Sequence, residues 1–277
     1  MSTRSRRTFQ QLITLPDPAI PLAETALLMA CEEYPQIEIS PYLDQLDEMA
    51  AVVRSKMRAG DSPLDTINTI NNVLFDVLGF RGNKENYYDP RNSFLNDVLE
   101  RRVGIPITLS AVYLEVARRL PFPIVGIGMP NHFLVKYADR SQEFILDPFN
   151  RGDILTREDC ATRLTQSYGG PVALSERFFS GVTHRQILVR MLNNLKAIYV
   201  DAQAYDKGLA MVEMLLLAEP ADPQQYRDRG LLHRLLRHFE MAARDFERYI
   251  KLAPDAKDGQ KIQEELQELR RIQATMN

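Results

Sequence analysis

Cysteine is scarce in this chain. Cys31 and Cys160 are the only two in 277 residues, and they lie far apart in unlike surroundings, which excludes a disulfide framework and a thiolate metal cluster and fits a reducing compartment. No apolar run approaches the roughly 20 residues of a membrane span. The basic start, Met1 to Arg7, is followed by Thr8-Phe9-Gln10-Gln11 rather than by the apolar stretch of a signal peptide, so a cytoplasmic protein is expected. An excess of one charge is also missing: 34 Lys and Arg stand against 37 Asp and Glu, and nothing global draws nucleic acid or an anionic membrane. The histidines show no metal-ligand spacing, since His233 and His238 are five residues apart and fall on different faces of a helix. Gly126-Ile127-Gly128 lacks the third glycine and the following helix of a phosphate loop. Neither a metal nor a cofactor is expected, and nothing in the sequence fixes an oligomeric state.

What is present is a globular chain with 45 % apolar residues, enough for a substantial core. Residues 1–15 read as a disordered tail. Leu22, Thr25, Leu28 and Met29 then share one helix face, and a second helix after Pro41 runs through Leu46, Met49, Ala50 and Val53 to about Gly60. Asp61-Ser62-Pro63 offers a cap and a first-turn proline for a third, through Ile67, Ile70 and Leu74. A polar loop, 83–90, separates it from a short helix at 93–102, and Gly104-Ile105-Pro106 opens the most apolar helix of the chain. The period then changes to two, with apolar runs at 123–129, 132–137 and 143–146 broken by turn residues, which predicts a small antiparallel sheet. Thr156 with Asp159 reads as a helix start, and Gly169-Gly170-Pro171 as its end.

From about Gln186 the chain is helical and repeats. Pro220 and Pro254 lie 34 residues apart, and at the same offset Tyr205 matches Phe239, Gly208 matches Ala242, Val212 matches Phe246 and Leu215 matches Tyr249. That is the tetratricopeptide period, in which small residues let two antiparallel helices approach and a proline closes the unit. Residues 258–276 form a charged amphipathic helix suited to cap the stack.

Three segments resemble the transglutaminase-like core: Asn92 to Ser110, Val125 to Tyr137 with His132, and Phe144 to Asn150 with Asp147. The arrangement is similar to a bacterial branch of that family with helices before the core and tetratricopeptide units after it. The resemblance implies an α+β fold: a helical N-terminal region and a papain- or transglutaminase-like core over residues 16–183, then helical repeats over 184–277. In active members a cysteine at the start of the core helix attacks an amide, a histidine takes its proton and an aspartate orients the imidazole. By motif, His132 and Asp147 take the last two positions, and the cysteine position falls on Pro106, which has no nucleophile and no amide proton for an oxyanion. Ser110 lies one turn further along and is the candidate nucleophile of an alternative amide hydrolase or acyl transferase. Thr108 faces elsewhere, and Cys31 and Cys160 read as buried free thiols. A bland reading of His132 and Asp147 is an anchor for the sheet.

The leading expectation is a non-catalytic scaffold for a protein or peptide, using the old cleft, the repeats, or both. Tyr226, Arg227, Arg229, His233 and Arg237 are the candidate contacts on the second repeat, where exposed cations could meet acidic peptide groups. The plain alternative for these five is a solvated charged helix face.

Overall fold

The computed structural model describes residues 3–139, 141–170 and 175–276. Its first element corrects an expectation, because the stretch read as a disordered tail contains helix α1 (Thr3–Ile13). Phe9 and Ile13 stand one turn apart and are fully buried, and Arg6 donates twice to Glu32, at 2.7 and 3.1 Å. An apolar face one turn wide, with an ion pair beside it, outweighs the basic composition.

Helices α2 (Leu22–Ala30), α3 (Ser40–Lys56) and α4 (Pro63–Asn71) follow the apolar spacing. Ser62 closes a reciprocal cap on α4, its hydroxyl accepting from the Asp65 N–H at 3.2 Å while Asp65 accepts from the Ser62 N–H at 3.0 Å. The helix then widens into a π-type turn, Asn72–Val77, that buries Val73, Leu74 and Phe75 together. Two short strands missed by the alternation pattern, β1 (Arg81–Gly82) and β2 (Val103–Gly104), pair in parallel on either side of α5 (Leu95–Arg101). Helix α6 (Pro106–Arg119) starts at its proline and is buried from Pro106 to Ala117, as the first-turn position of proline allows.

Strands β3 (Ile124–Met129), β4 (His132–Ala138), β5 (Glu143–Asp147) and β6 (Asp153–Leu155) form an antiparallel sheet in that order. Asn131, at φ 58°, turns the first hairpin. Helix α7 (Arg157–Tyr168) begins with the expected Thr156–Asp159 capping box and ends at Gly169 in the left-handed region; Pro171 of the expected stop lies outside the described residues. Side-chain alternation assigns the two faces of the sheet. Ile127, Met129, Leu134 and Ile145 cluster with Leu155, Cys160, Leu164 and Phe179 on the α7 face. Phe133, Val135, Tyr137 and Leu146 are buried on the other face, where α6 packs on β3 and β4 and Phe122, just beyond α6, stacks on Tyr137 at 4.9 Å. By the same parity His132 and Asp147 belong to the α7 face.

Contacts divide the chain into two compact units, Met1–Met191 and Leu192–Asn277. Helix α8 (His184–Asp201) precedes α9 (Tyr205–Ala218), α10 (Pro223–Leu235), α11 (Phe239–Leu252) and α12 (Gly259–Met276). The matched pair Tyr205 and Phe239 open α9 and α11. Gly230 lets α10 approach α11 so closely that a Cβ there would lie 2.5 Å from the Phe246 ring. Ala242, Phe246 and Tyr249 share a core with Ile262, Leu266 and Leu269 of α12.

Candidate functional site

Asp147 is the last residue of β5, fully buried, and surrounded by donors. One carboxylate oxygen accepts from the backbone N–H of Phe149 at 3.1 Å and of Asn150 at 3.3 Å. The other accepts from Asn150 Nδ2 and from His132 Nε2, both at 2.9 Å, and from the Arg163 guanidinium. Burial alone would raise the carboxyl's pKa, but the His132 and Asn150 hydrogen bonds and the Arg163 charge outweigh it and hold the group below the ordinary carboxylate range. A carboxylate only accepts, so the bond from His132 puts the proton on Nε2 and leaves Nδ1 open. The expected His132–Asp147 pair thus forms. Arg163 was not foreseen, although its place one turn after the inward-facing Cys160 on α7 is a helical signal for the same face.

The imidazole is one quarter exposed and lines a cavity of about 290 Å³ with Asn131, Phe149, Asn150, Cys160 and Arg163 among the other walls. No α6 residue lines it. Pro106, the first residue of α6, is buried and is not among the cavity walls. Ser110 is fully buried as well, and its hydroxyl makes a long contact, 3.5 Å, to the Phe133 carbonyl. No hydrogen bond joins it to His132 among the described residues. Thr108 bonds the Asn92 carbonyl at 2.7 Å and caps α6. Cys160 does reach the cavity, but burial pushes its pKa up to about 11, so it is a protonated thiol. Cys31 is buried, with a raised pKa from the same cause. Among the described residues, no group of three His, Cys, Asp or Glu is placed to hold a metal ion.

The sequence profile of the transglutaminase-like superfamily matches residues 40–193, more than half of the chain. The chain belongs to the transglutaminase-like superfamily. A tetratricopeptide-repeat profile matches residues 195–267. The superfamily relatives include a UPF0162 protein of Xylella fastidiosa, 37 % identical over 250 residues and covering 89 % of both chains, and a UPF0162 protein of Vibrio cholerae, 31 % identical over 184 residues, 66 % of this chain and 68 % of the relative. F-box only protein 21 of the mouse is 32 % identical over 157 residues, which is 51 % of this chain but 24 % of that longer protein.

In this superfamily member the repeat residues expected as free cations are mostly spent internally, which corrects that expectation. Arg229 forks onto the buried Asp245 at 2.8 and 2.6 Å. Arg227 is held by Asp258 at 2.9 Å and Asp228 at 3.0 Å. His233 is buried against His238, with Nδ1 atoms 3.3 Å apart. Tyr226 donates to the Pro220 carbonyl at 3.0 Å and lies between Arg229 and Arg248. Asp245 of α11, Asp228 of α10 itself and Asp258 of the turn before α12 satisfy the two guanidiniums, since desolvating a guanidinium without a partner is costly. Arg237 alone of the five is exposed and lies at a turn with φ 62°. The second unit opens instead at an apolar groove of about 380 Å³ lined by Ala197, Val200, Leu231, Leu232 and Leu235, with Lys196 and Asp228 paired at its edge.

Proposed function

We propose that the protein is a non-catalytic scaffold that binds a protein or peptide, with a transglutaminase-like site that has no nucleophile. The observation that carries this reading is Pro106 as the first residue of α6, at the position where the family resemblance puts the attacking cysteine. Strand parity supports it, since the imidazole is turned toward α7 and its cavity rather than toward α6. So does Asp147. An orienting carboxylate stabilises the imidazolium formed during catalysis, whereas this one already carries the Arg163 charge. The alternative enzyme, with Ser110 as nucleophile, His132 as base and Asp147 as orienter, needs a hydroxyl free to meet Nδ1, and the Ser110 hydroxyl is buried on a carbonyl.

Tetratricopeptide repeats generally mediate protein–protein contacts, and the groove between α8 and α10 suits an apolar side chain of such a partner. No helix among the described residues is long and apolar enough to cross a membrane. Native labelling with a fluorophosphonate and with iodoacetamide, mapped by peptide mass spectrometry, tests the central point. The scaffold reading expects no stoichiometric adduct at Ser110 or Cys160. An adduct on Ser110 that vanishes in His132→Ala would reinstate the enzyme.

A further inference from the structure

Arg190, on α8, is a half-buried cation with no carboxylate partner among the described residues. Its Nη2 donates to the carbonyls of Met129 at 3.0 Å and His132 at 2.8 Å, and the guanidinium lies 5.5 Å from the centre of the Phe133 ring. Gly128 leaves it room, since a Cβ there would come within 3.3 Å of Nη1. Among the described residues, Nε and Nη1 find no protein acceptor. A cation so far out of water is ordinarily paired, and burial does push this guanidinium's pKa down, with the Tyr87 hydroxyl the one group that offsets it.

Tyr87 belongs to the polar loop that wraps the start of α6, where the Asn83 N–H donates to the Gly104 carbonyl at 2.9 Å and Thr108 bonds Asn92. From this loop rings run edge to face toward the imidazole: Tyr88 to Tyr87 at 5.3 Å, Tyr87 to Phe149 at 6.1 Å, Phe149 to His132 at 6.1 Å. Lys84 Nζ stands 6.0 Å from the Phe149 ring and has no carboxylate partner among the described residues. Tyr88 is 76 % exposed. Donors without an anion therefore flank an aromatic shelf beside His132.

Resting on the scaffold reading, we infer that this shelf is a subsite for a peptide carboxylate: Arg190, with Tyr87 and Lys84, receives the anion, and Tyr88, Tyr87 and Phe149 pack the residues beside it. With Nη2 spent on the two carbonyls, Nε and Nη1, which lie on either side of Cδ, each offer a single charge-assisted hydrogen bond, and the Tyr87 hydroxyl and Lys84 ammonium supply the donors for the second carboxylate oxygen. Aromatic faces suit the adjoining apolar side chains.

The test is capture of a random octapeptide library, synthesised both as C-terminal acids and as C-terminal amides, on the immobilised full-length protein, read by mass spectrometry. Peptides captured by wild type are expected to be enriched in Asp and Glu over Asn and Gln by about tenfold, the ratio that ~1.4 kcal/mol produces. Enrichment within the amide form assigns the anion to a side chain, and a preference confined to the acid form assigns it to the C-terminus. Either preference should vanish in Arg190→Gln. Because that variant also loses two hairpin hydrogen bonds, the exposed pair Lys84→Gln with Tyr87→Phe supplies a second comparison, and acidic preference undiminished there overturns the subsite. Capture by wild type without acidic preference rejects the subsite and leaves the scaffold standing. No capture at all rejects both.

Discussion

Each unit holds one buried aspartate with a histidine and an arginine beside it, and the two groups differ in what surrounds them. Asp147 takes a 2.9 Å bond from His132, the Arg163 charge and three further donors. Asp245 takes two bonds from Arg229, while His233 Nε2 stays 3.9 Å away, too far for a hydrogen bond. His132, whose Nδ1 is not used by Asp147, lines a cavity, whereas Nδ1 of His233 is closed against a second imidazole. Residue composition therefore does not distinguish a site from a structural brace. Open space and an unspent nitrogen do, and on that criterion only the first group is fit to meet a ligand.

The largest way to break this comparison is Asp147→Asn, which takes a buried carboxylate away from a guanidinium and an imidazole together, both only partly buried. Because solvent reaches Arg163, the loss is expected to fall below the roughly 3–5 kcal/mol of a fully buried pair. Asp245→Asn strands Arg229 alone, since His233 makes no hydrogen bond to Asp245, and should cost less. Urea unfolding followed by circular dichroism decides, and equal losses would erase the distinction. Next in size, Gly230→Ala drives a methyl into the Phe246 ring and should destabilise the repeats by about 1–3 kcal/mol, read as a lower thermal midpoint for that unit. An unchanged midpoint would mean that the α10–α11 contact is looser than a 2.5 Å approach to the Phe246 ring implies.

Acid sharpens the contrast further. Burial holds His233 below its ordinary pKa of 6.5, so the unfolded chain binds more protons there, and the stability associated with a neutral His233 is complete above 6.5 and declines as pH falls below it. Asp147 is held below 3.8, so its contribution is complete above 3.8 and is lost only in stronger acid. Hydrogen-exchange protection factors, corrected for the intrinsic slowing of exchange in acid, should fall between pH 7 and 5 in α10 and α11 before β4, and His233→Leu should flatten that response. The smallest effect expected is from Arg237→Glu, within about 0.5 kcal/mol of wild type; a larger shift in its unfolding curve would reveal a contact for this exposed residue.

Local signals were the legible ones. The capping boxes at Ser62 and Thr156, the first-turn proline of α6 and the period-two runs of β3 to β5 all depend on neighbours within a few residues, and the 34-residue offset placed the openings of α9 and α11. His132 and Asp147 were legible because one hairpin brings them together. Pairings between distant elements were not. Arg229 and Arg227 read as surface charge until α11 and the Asp258 turn supply their carboxylates. Arg163 and Arg190 acquire roles only when α7 and α8 reach the hairpin that carries His132. The helix at Thr3–Ile13 was hidden by its basic composition, because two buried anchors are too few to show as a period.

The separation of the imidazole from the start of α6 can be tested by putting a thiol there. In Pro106→Cys, the rate of iodoacetamide alkylation measured across pH 5 to 10 should follow an ordinary or raised thiol pKa, and His132→Ala should leave the profile unchanged. A thiolate reactive at neutral pH, lost on removing His132, would contradict the account.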